Sequence, residues 1–204
     1  MIRFFKGGPI ETGRAGILPA AFNPVTIAHL ALADAAQSQY GLDQVVFLLP
    51  ARLPHKEFDG ASFEDRIAML ADALTDRPDR EVASCEHGLF FEIARDFRAA
   101  CGPAVNLHLL CGRDAAERIL NWNYASPPSF AEQLREFQML VASREGGFEI
   151  PAQYRGRIHL VDLPDSYDRI AASVVRKRVR SGEPWTELVP PAVARRIQAQ
   201  GLYR

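Results

Sequence analysis

Short apolar runs alternate with segments of helical periodicity along this chain. An apolar run stands at 17–22, and the continuous run at 45–49 is of the kind found in buried parallel strands. Further strands are predicted at 105–111, 137–143 and 157–163, with a weaker candidate at 81–85. Helical patterns follow from the turn at 23–24 to about 40, at 62–74, at 90–100, after 111, and twice between about 172 and 203. Strands that alternate with helices predict an α/β fold, with a doubly wound parallel sheet and C-terminal helices.

Residues 1–14 carry no comparable pattern. The opening segment, MIRFFKGGPIETGRAG, has neither the apolar core nor the small-residue cleavage site of a signal peptide. We therefore expect residues 1–14 to form a polar extension and residues 15–204 to form one domain, which is long enough to bury a full core. No apolar run approaches the roughly 18 residues of a membrane span, so we expect no membrane association.

Composition narrows the classes of partner. The net charge of −1 at pH 7 argues against a basic surface for nucleic acid, so any phosphate binding must be local. The three cysteines, Cys85, Cys101 and Cys111, are odd in number and have no CxxC spacing, which suggests neither a disulfide framework nor a zinc site. These features fit a cytoplasmic protein, and a homo-oligomer is possible.

The stretch FNPVTIAH, at residues 22–29, joins the first predicted strand to the first predicted helix. Asn23 or Thr26 can cap this helix, and Thr26 and His29 are three residues apart, on the same side of its first turn. A hydroxyl and an imidazole then project beside unpaired backbone N–H groups at the positive end of a helix dipole, where phosphate oxygens bind well. The alternative is a capping threonine with a half-exposed surface histidine.

Three further stretches follow predicted strands or begin a helix. PARLPHK, at 50–56, offers Arg52, His55 and Lys56 as donors to a phosphate or carboxylate, or else forms a solvated basic loop. CGRDAAERILNW, at 111–122, places a glycine at a strand end, where the backbone can approach a ligand.

In that second stretch Asp114 can cap a helix or accept hydrogen bonds from a ribose or an amide. Trp122 can stack on a flat heterocycle or pack in the core. In the third stretch, IAASVVRKRVR at 170–180, Ser173 is expected as an N-cap with Arg176 on the same face, which gives a second phosphate cradle. The alternative for this basic run is a solvated helix face.

FNPVTIAH resembles the signature of the nucleotidyltransferases that carry (H/T)xGH after a Gly-Gly-Thr/Ser-Phe-Asp/Asn-Pro loop. This family includes nicotinate-nucleotide adenylyltransferase and phosphopantetheine adenylyltransferase. The other three stretches resemble the family's Pro-Pro-His-Lys/Arg, Gly-x-Asp with a later tryptophan, and IS(S/A)TxIR elements, in the same order. The closing QGLYR is also similar to the end of bacterial nicotinate-nucleotide adenylyltransferases.

The resemblance implies a Rossmann-like fold and an enzyme that transfers AMP from ATP to nicotinate mononucleotide, with release of pyrophosphate and with Mg²⁺ accompanying ATP. It implies catalytic roles for Thr26, His29 and Arg176. The residues expected at the phosphates of ATP are Ala21, Phe22, Asn23, His29, Ser173 and Arg176. The residues expected at the acceptor are His55, Lys56, Gly112, Asp114 and Trp122, and no protein ligand to a metal is expected.

The sequence departs from the family pattern at two places that leave alternatives open. Pro19 and Ala20 replace the glycine pair and Ala28 replaces the signature glycine, which predicts a narrower approach for phosphate and weaker binding of ATP. Residues 89–92, Leu-Phe-Phe-Glu, replace a Ser/Pro-Ser-Tyr-Thr segment that contacts the mononucleotide in the family. The alternatives are therefore the same chemistry on another phosphorylated acceptor, or a nucleotide-binding protein that has lost catalysis.

Overall fold

The computed structural model describes residues 1–51, 60–122, 128–143 and 147–204. Its strands are β1 Arg3–Lys6, β2 Gly13–Pro19, β3 Gln44–Pro50, β4 Arg80–Cys85, β5 Val105–Gly112, β6 Gln138–Ser143 and β7 Ile158–Asp162. Its α-helices are α1 Ile27–Tyr40, α2 Phe63–Ala73, α3 Phe90–Cys101, α4 Arg113–Leu120, α5 Phe130–Gln133, α6 Ala172–Ser181 and α7 Pro191–Gln200. Short 3₁₀ turns lie at Ala152–Tyr154, Asp165–Tyr167 and Thr186–Leu188.

The strands form one sheet in the order β1-β4-β3-β2-β5-β6-β7. All neighbouring strands are parallel except β1, which pairs antiparallel with β4. The chain runs outward from β2 through β3 to β4 and then returns to the other side of β2 with β5. The doubly wound parallel sheet is thus confirmed, and its strand order reverses between β2 and β5, where open α/β sheets bind ligands at the carboxyl ends of the strands.

Each face of the sheet is covered by helices over an apolar core. Leu18 and Phe47 face the core that includes Val175 of α6 and Ile197 of α7. Neighbouring strand residues point to the opposite face, where Ile17 packs in the core that includes residues of α3, α4 and α5. Because both faces are buried, a central strand such as β3 is a continuous apolar run rather than an alternating one, as the pattern predicts.

The start of α2 follows its sequence signal. Ser62 is the N-cap, its hydroxyl accepts from the backbone N–H of Asp65 at 3.0 Å, and Asp65 in turn accepts from the backbone N–H of Ser62 at 3.0 Å. This reciprocal pair satisfies two amide groups that the helix itself leaves without partners. Among the described helices, none has the length and apolar character needed to cross a bilayer.

Residues 1–14 do not form a simple polar extension, which corrects the expectation from the sequence. Residues 3–6 form an edge strand of the sheet, and the ring of Phe4 contacts that of Phe97 edge-on at 6.5 Å between centroids. Lys6 donates to the carbonyl oxygens of Arg77 and Arg80, and β2 already begins at Gly13. A four-residue strand with two adjacent phenylalanines between charges is too short to show an alternating pattern.

Candidate active site

The loop between β2 and α1, residues 20–26, lies at the point where the strand order reverses. Phe22 adopts φ = 43°, which is uncommon for a residue other than glycine. Its side chain is buried, and its ring contacts those of Phe47 and His29 at 5.7 and 5.1 Å between centroids. Phe22 can therefore offer a ligand only its backbone groups. Ala21 would likewise contact a phosphate in this loop through its backbone.

Thr26 is the N-cap of α1, and it contacts His29 as the spacing predicts. The backbone N–H of Thr26 donates to Nδ1 of His29 at 3.0 Å, and the Thr26 hydroxyl lies 2.7 Å from the same nitrogen. Since a backbone N–H can only donate, Nδ1 is an acceptor and the ring proton is on Nε2. The buried threonine thus orients a half-buried imidazole whose far nitrogen is a hydrogen-bond donor.

Three side chains from distant parts of the sequence donate hydrogen bonds to the β2–α1 loop. Nη1 of Arg176, on α6, donates to the carbonyl of Asn23 at 2.6 Å. Nη1 of Arg66, on α2, donates to the carbonyl of Ala21 at 3.1 Å. The Tyr203 hydroxyl donates to Oδ1 of Asn23 at 2.7 Å. The structure therefore brings Arg176 to the β2–α1 loop, together with Arg66 and Tyr203, to which the sequence assigns no site role.

Arg66 and Tyr203 are both buried below the loop, and burial shifts both of their pKa values. Burial lowers the pKa of the Arg66 guanidinium, and it raises the pKa of the Tyr203 hydroxyl. The tyrosine therefore remains a neutral donor at any physiological pH. The only signal for Tyr203 in the sequence is its place in QGLYR, and the arginine shows no signal at all.

Ser173 is not an N-cap, which corrects another expectation. The cap of α6 is Ala171, with extended backbone angles, and helical geometry begins at Ala172. Ser173 therefore lies in the first turn, where backbone N–H groups have no acceptor within the helix. Its side chain is exposed. Because Arg176 lies one turn further and contacts the β2–α1 loop, the N-terminal turn of α6 is beside that loop.

The end of β5 lies next to the end of β2 and supplies Gly112 and Asp114. A methyl group added to Gly112 would meet no atom of the described residues within 4 Å, so these residues leave the strand end uncrowded. Asp114 does not cap α4, because Gly112 is the N-cap and Asp114 lies within the first turn. Its side chain is 83% exposed. Trp122 is 39% exposed, which argues against plain core packing.

Two of the expected acceptor residues, His55 and Lys56, lie outside the described residues, as does Arg52. The residue before this segment, Ala51, follows the end of β3 and donates its N–H to the carbonyl of Cys85 at 2.7 Å. The roles of Arg52, His55 and Lys56 stay predictions from the sequence.

The residues that replace the family's glycines are accommodated by the fold. The N–H of Ala20 donates to the carbonyl of Leu48 at 3.1 Å, which continues the pairing of β2 with β3. The Ala20 methyl packs against the core, and Ala28 is buried in α1. Both methyl groups thus contact protein, and the N–H of Ala20 serves the sheet, so the structure gives no support to a narrowed phosphate approach at Ala20.

Comparison with known proteins gives the family of this chain. The family described as Cytidylyltransferase-like matches residues 17–178. A protein of Moorella thermoacetica named probable nicotinate-nucleotide adenylyltransferase is 32% identical, with 94% of this chain and 92% of the relative covered. One of the same name from Solibacter usitatus is 31% identical, with 93% and 99% covered.

Solved structures resemble the fold at much lower sequence identity. Nicotinic acid mononucleotide adenylyltransferase of Plasmodium falciparum, complexed with NaAD, superposes with a TM-score of 0.72. The match covers 93% of this chain and 97% of the other at 14% identity, so it concerns the fold alone. Together with the full-length relatives above 30% identity, the matched family and the β2–α1 site establish that this chain belongs to the nicotinate-nucleotide adenylyltransferase family of cytidylyltransferase-like nucleotidyltransferases.

Proposed function

We propose that this protein transfers the adenylyl group of ATP to nicotinate mononucleotide and releases pyrophosphate. The observation that carries the proposal is the Thr26–His29 pair at the start of α1, at the strand-order reversal. There, a donor nitrogen, the first backbone amides of a helix and its positive dipole end lie together, which favours the charge of a phosphate. The names of the relatives at 32% and 31% identity support the choice of acceptor.

The chemistry needs placement and charge stabilisation more than proton transfer. An oxygen of the acceptor phosphate attacks the α-phosphorus of ATP in line, a new P–O bond forms, and the bond to the β-phosphate bridging oxygen breaks. Pyrophosphate leaves with that electron pair. Because the attacking phosphate is already anionic near pH 7, no general base is required, and the protein contributes orientation and donors to the transition-state oxygens.

His29 is the residue we assign to the α-phosphate. Its Nε2–H can donate to a nonbridging oxygen whose negative charge grows as the fifth bond to phosphorus forms. Thr26 acts through His29, because its backbone N–H and hydroxyl keep Nδ1 as the acceptor. Backbone groups at residues 21–23 would approach the same phosphates.

Arg176 and Ser173 are assigned to the β- and γ-phosphates. One nitrogen of the Arg176 guanidinium is bonded to the carbonyl of Asn23, and a guanidinium has five N–H donors in total. Arg176 can therefore link the β2–α1 loop to the departing pyrophosphate. Ser173, exposed one turn earlier, would add a hydroxyl and a first-turn amide.

Fewer contacts in the structure define the part of the site assigned to the acceptor. No atom of the described residues crowds Gly112 at the end of β5. We assign the indole of Trp122, which is partly exposed, to stacking on the nicotinate ring. Asp114 is solvent-exposed and can reach a ribose or an amide only from outside the strand end. His55 and Lys56 remain predicted contacts to the acceptor phosphate.

Mg²⁺ is proposed to enter with ATP as part of the substrate. Within the described ranges no three His, Cys, Asp or Glu side chains converge. The groups at the site, an imidazole N–H, a guanidinium and backbone amides, donate hydrogen bonds and suit phosphate oxygens. They fit a Mg²⁺ ion held by those phosphate oxygens and by water, which is usual for this ion.

We place the protein in the cytoplasm, in line with its three free thiols.

The test is release of pyrophosphate from ATP and Mg²⁺ with a panel of monophosphates. We expect nicotinate mononucleotide to give the highest kcat/KM, with nicotinamide mononucleotide, phosphopantetheine and simple sugar phosphates as the comparison. The purified product should be the dinucleotide, identified by its mass. Activity with none of the panel would overturn the assignment of an enzyme.

A second candidate, the same transfer to a different acceptor, is favoured by the start of α3. Leu89 is the N-cap of this helix, and Phe90 contacts the ring of Phe137 at 6.2 Å between centroids. These apolar residues are half-buried and replace hydroxyl-bearing ones that the family uses for the mononucleotide. A higher kcat/KM for another member of the panel would support this candidate.

A further inference from the structure

The β2–α1 loop is held from below by side chains that the proposed reaction does not itself use. Arg66 bonds to the carbonyl of Ala21, and Tyr203 bonds to the side chain of Asn23. Arg66 is 3% exposed and Tyr203 is also 3% exposed, so neither can reach a ligand in solvent. Both bonds reach the loop within two residues of Phe22.

Phe22 has a backbone conformation that its surroundings must impose. Among the described residues, only Phe22 and Tyr203 combine a side chain with positive φ, at 43° and 67°. Such conformations cost free energy and persist where neighbouring contacts determine them. The Arg66 bond holds the peptide carbonyl that precedes Phe22, and the Tyr203 bond holds the side chain of Asn23, the residue that follows it. The loop backbone that would face phosphate is therefore set by contacts on its opposite side.

Tyr203 also packs against Gly60, which lies shortly before the start of α2. A methyl group added to Gly60, whose φ is 85°, would lie 2.7 Å from Cδ1 of the Tyr203 ring. The ring is thus closely enclosed, and its hydroxyl has a fixed direction toward Asn23. One tyrosine consequently ties the β2–α1 loop to the start of the α2 region.

We propose that Tyr203 and Arg66 are positioning residues that hold the β2–α1 loop in the conformation required for phosphate binding. This inference rests on the proposed function for its kinetic consequence, but its structural consequence can be measured without any ligand. Loss of either bond should increase the range of loop conformations, so that fewer molecules present the loop amides and His29 in the productive arrangement.

The main variant is Tyr203→Phe, which removes the hydroxyl and keeps the ring. The matched control is Tyr40→Phe, because the Tyr40 hydroxyl donates to the carbonyl of Leu160 at the other end of α1. Two quantities are measured at a temperature well below unfolding. The first is hydrogen–deuterium exchange of peptides covering residues 18–26 in the ligand-free protein, and the second is kcat/KM for ATP.

We expect Tyr203→Phe to accelerate exchange in the loop about tenfold and to lower kcat/KM for ATP about tenfold. Tenfold corresponds to about 1.4 kcal/mol, the size of one lost hydrogen bond. Tyr40→Phe should lower the melting temperature as much as Tyr203→Phe does. It should change neither exchange in the loop nor kcat/KM for ATP. Unchanged loop exchange in Tyr203→Phe, or an equal change in both variants, would overturn the inference.

Arg66→Lys serves as the second variant if Tyr203→Phe fails to fold, since it preserves a charge and loses the guanidinium bond to Ala21. It is expected to accelerate loop exchange in the same way, and parent-like exchange in this variant would also overturn the inference. If the parent releases no pyrophosphate with any acceptor, the proposed function fails, and the exchange comparison still decides the role of Tyr203 and Arg66.

Discussion

Replacement of His29 by asparagine and by alanine should separate its two roles. Asparagine can place Oδ1 near the position of Nδ1, where it accepts from the backbone N–H of Thr26, and it has no group at the position of Nε2. Alanine supplies neither the acceptor at the position of Nδ1 nor the donor at the position of Nε2. We therefore expect His29→Asn to lose turnover and keep most of the stability, and His29→Ala to lose both.

The magnitudes follow from what each variant leaves unpaired. Loss of one donor to a developing oxyanion lowers kcat by about 10²- to 10³-fold, and we expect this for both variants. In His29→Ala two donors of the fully buried Thr26 also lose their acceptor. An unsatisfied buried donor costs about 1–3 kcal/mol. For a chain of this size that lowers the melting temperature by roughly 2–12 °C.

Pyrophosphate release at saturating ATP and nicotinate mononucleotide gives kcat, and thermal unfolding of the same preparations gives the melting temperature. The expected pattern is equal losses in kcat with the larger fall in melting temperature for His29→Ala. If His29→Asn keeps kcat within a few-fold of the parent, Nε2 does not act on the reacting phosphate and the site assignment is wrong. If both variants keep the parent melting temperature, the capping role of Nδ1 is refuted.

Three further substitutions test other parts of the structure. Arg176→Lys should raise KM for ATP more than KM for the acceptor, because lysine lacks the planar fork that can hold the loop and a polyphosphate together; equal changes in both constants count against this role. Ala20→Gly should change the Kd of a non-hydrolysable ATP analogue, measured by calorimetry, by less than about threefold, since the Ala20 N–H is bonded to Leu48; a tenfold gain in affinity would restore the idea of an obstructed loop. Phe4→Ala should reduce the free energy of unfolding by about 1–3 kcal/mol in a denaturant titration, and by more than Phe5→Ala, whose ring is 38% exposed; no effect of Phe4→Ala would place β1 outside the cooperative fold.

Periodicity and caps in the sequence predict most of the sheet and helices. Runs such as 45–49 are apolar on both strand faces because helices cover both sides of the sheet, and Ser62 with Asp65 marks a helix start through local hydrogen bonds. Thr26 and His29 are also predicted, because a contact over three residues depends only on helical geometry. These signals are local, so a single sequence contains them.

Other features depend on information that local patterns do not contain. Ser173 and Asp114 have the residue types that cap helices, yet the chain enters each helix two residues earlier, at Ala171 and Gly112. Entry points of this kind are set by how the preceding strand or turn meets the sheet. The contacts of Arg66 and Tyr203 require the orientations of side chains across the assembled core, which no spacing in the sequence indicates.

The hydrogen bonds to Asn23 also determine the earliest stage of translation at which the site can form. They join residues separated by 153 and 180 positions. All seven strands described here are complete at residue 162, but a nascent chain at that stage has neither Arg176 nor Tyr203 beside the β2–α1 loop. A ribosome-bound intermediate could thus contain the whole sheet and still lack an ordered phosphate site, because the segment that orders it is translated last among the parts it needs.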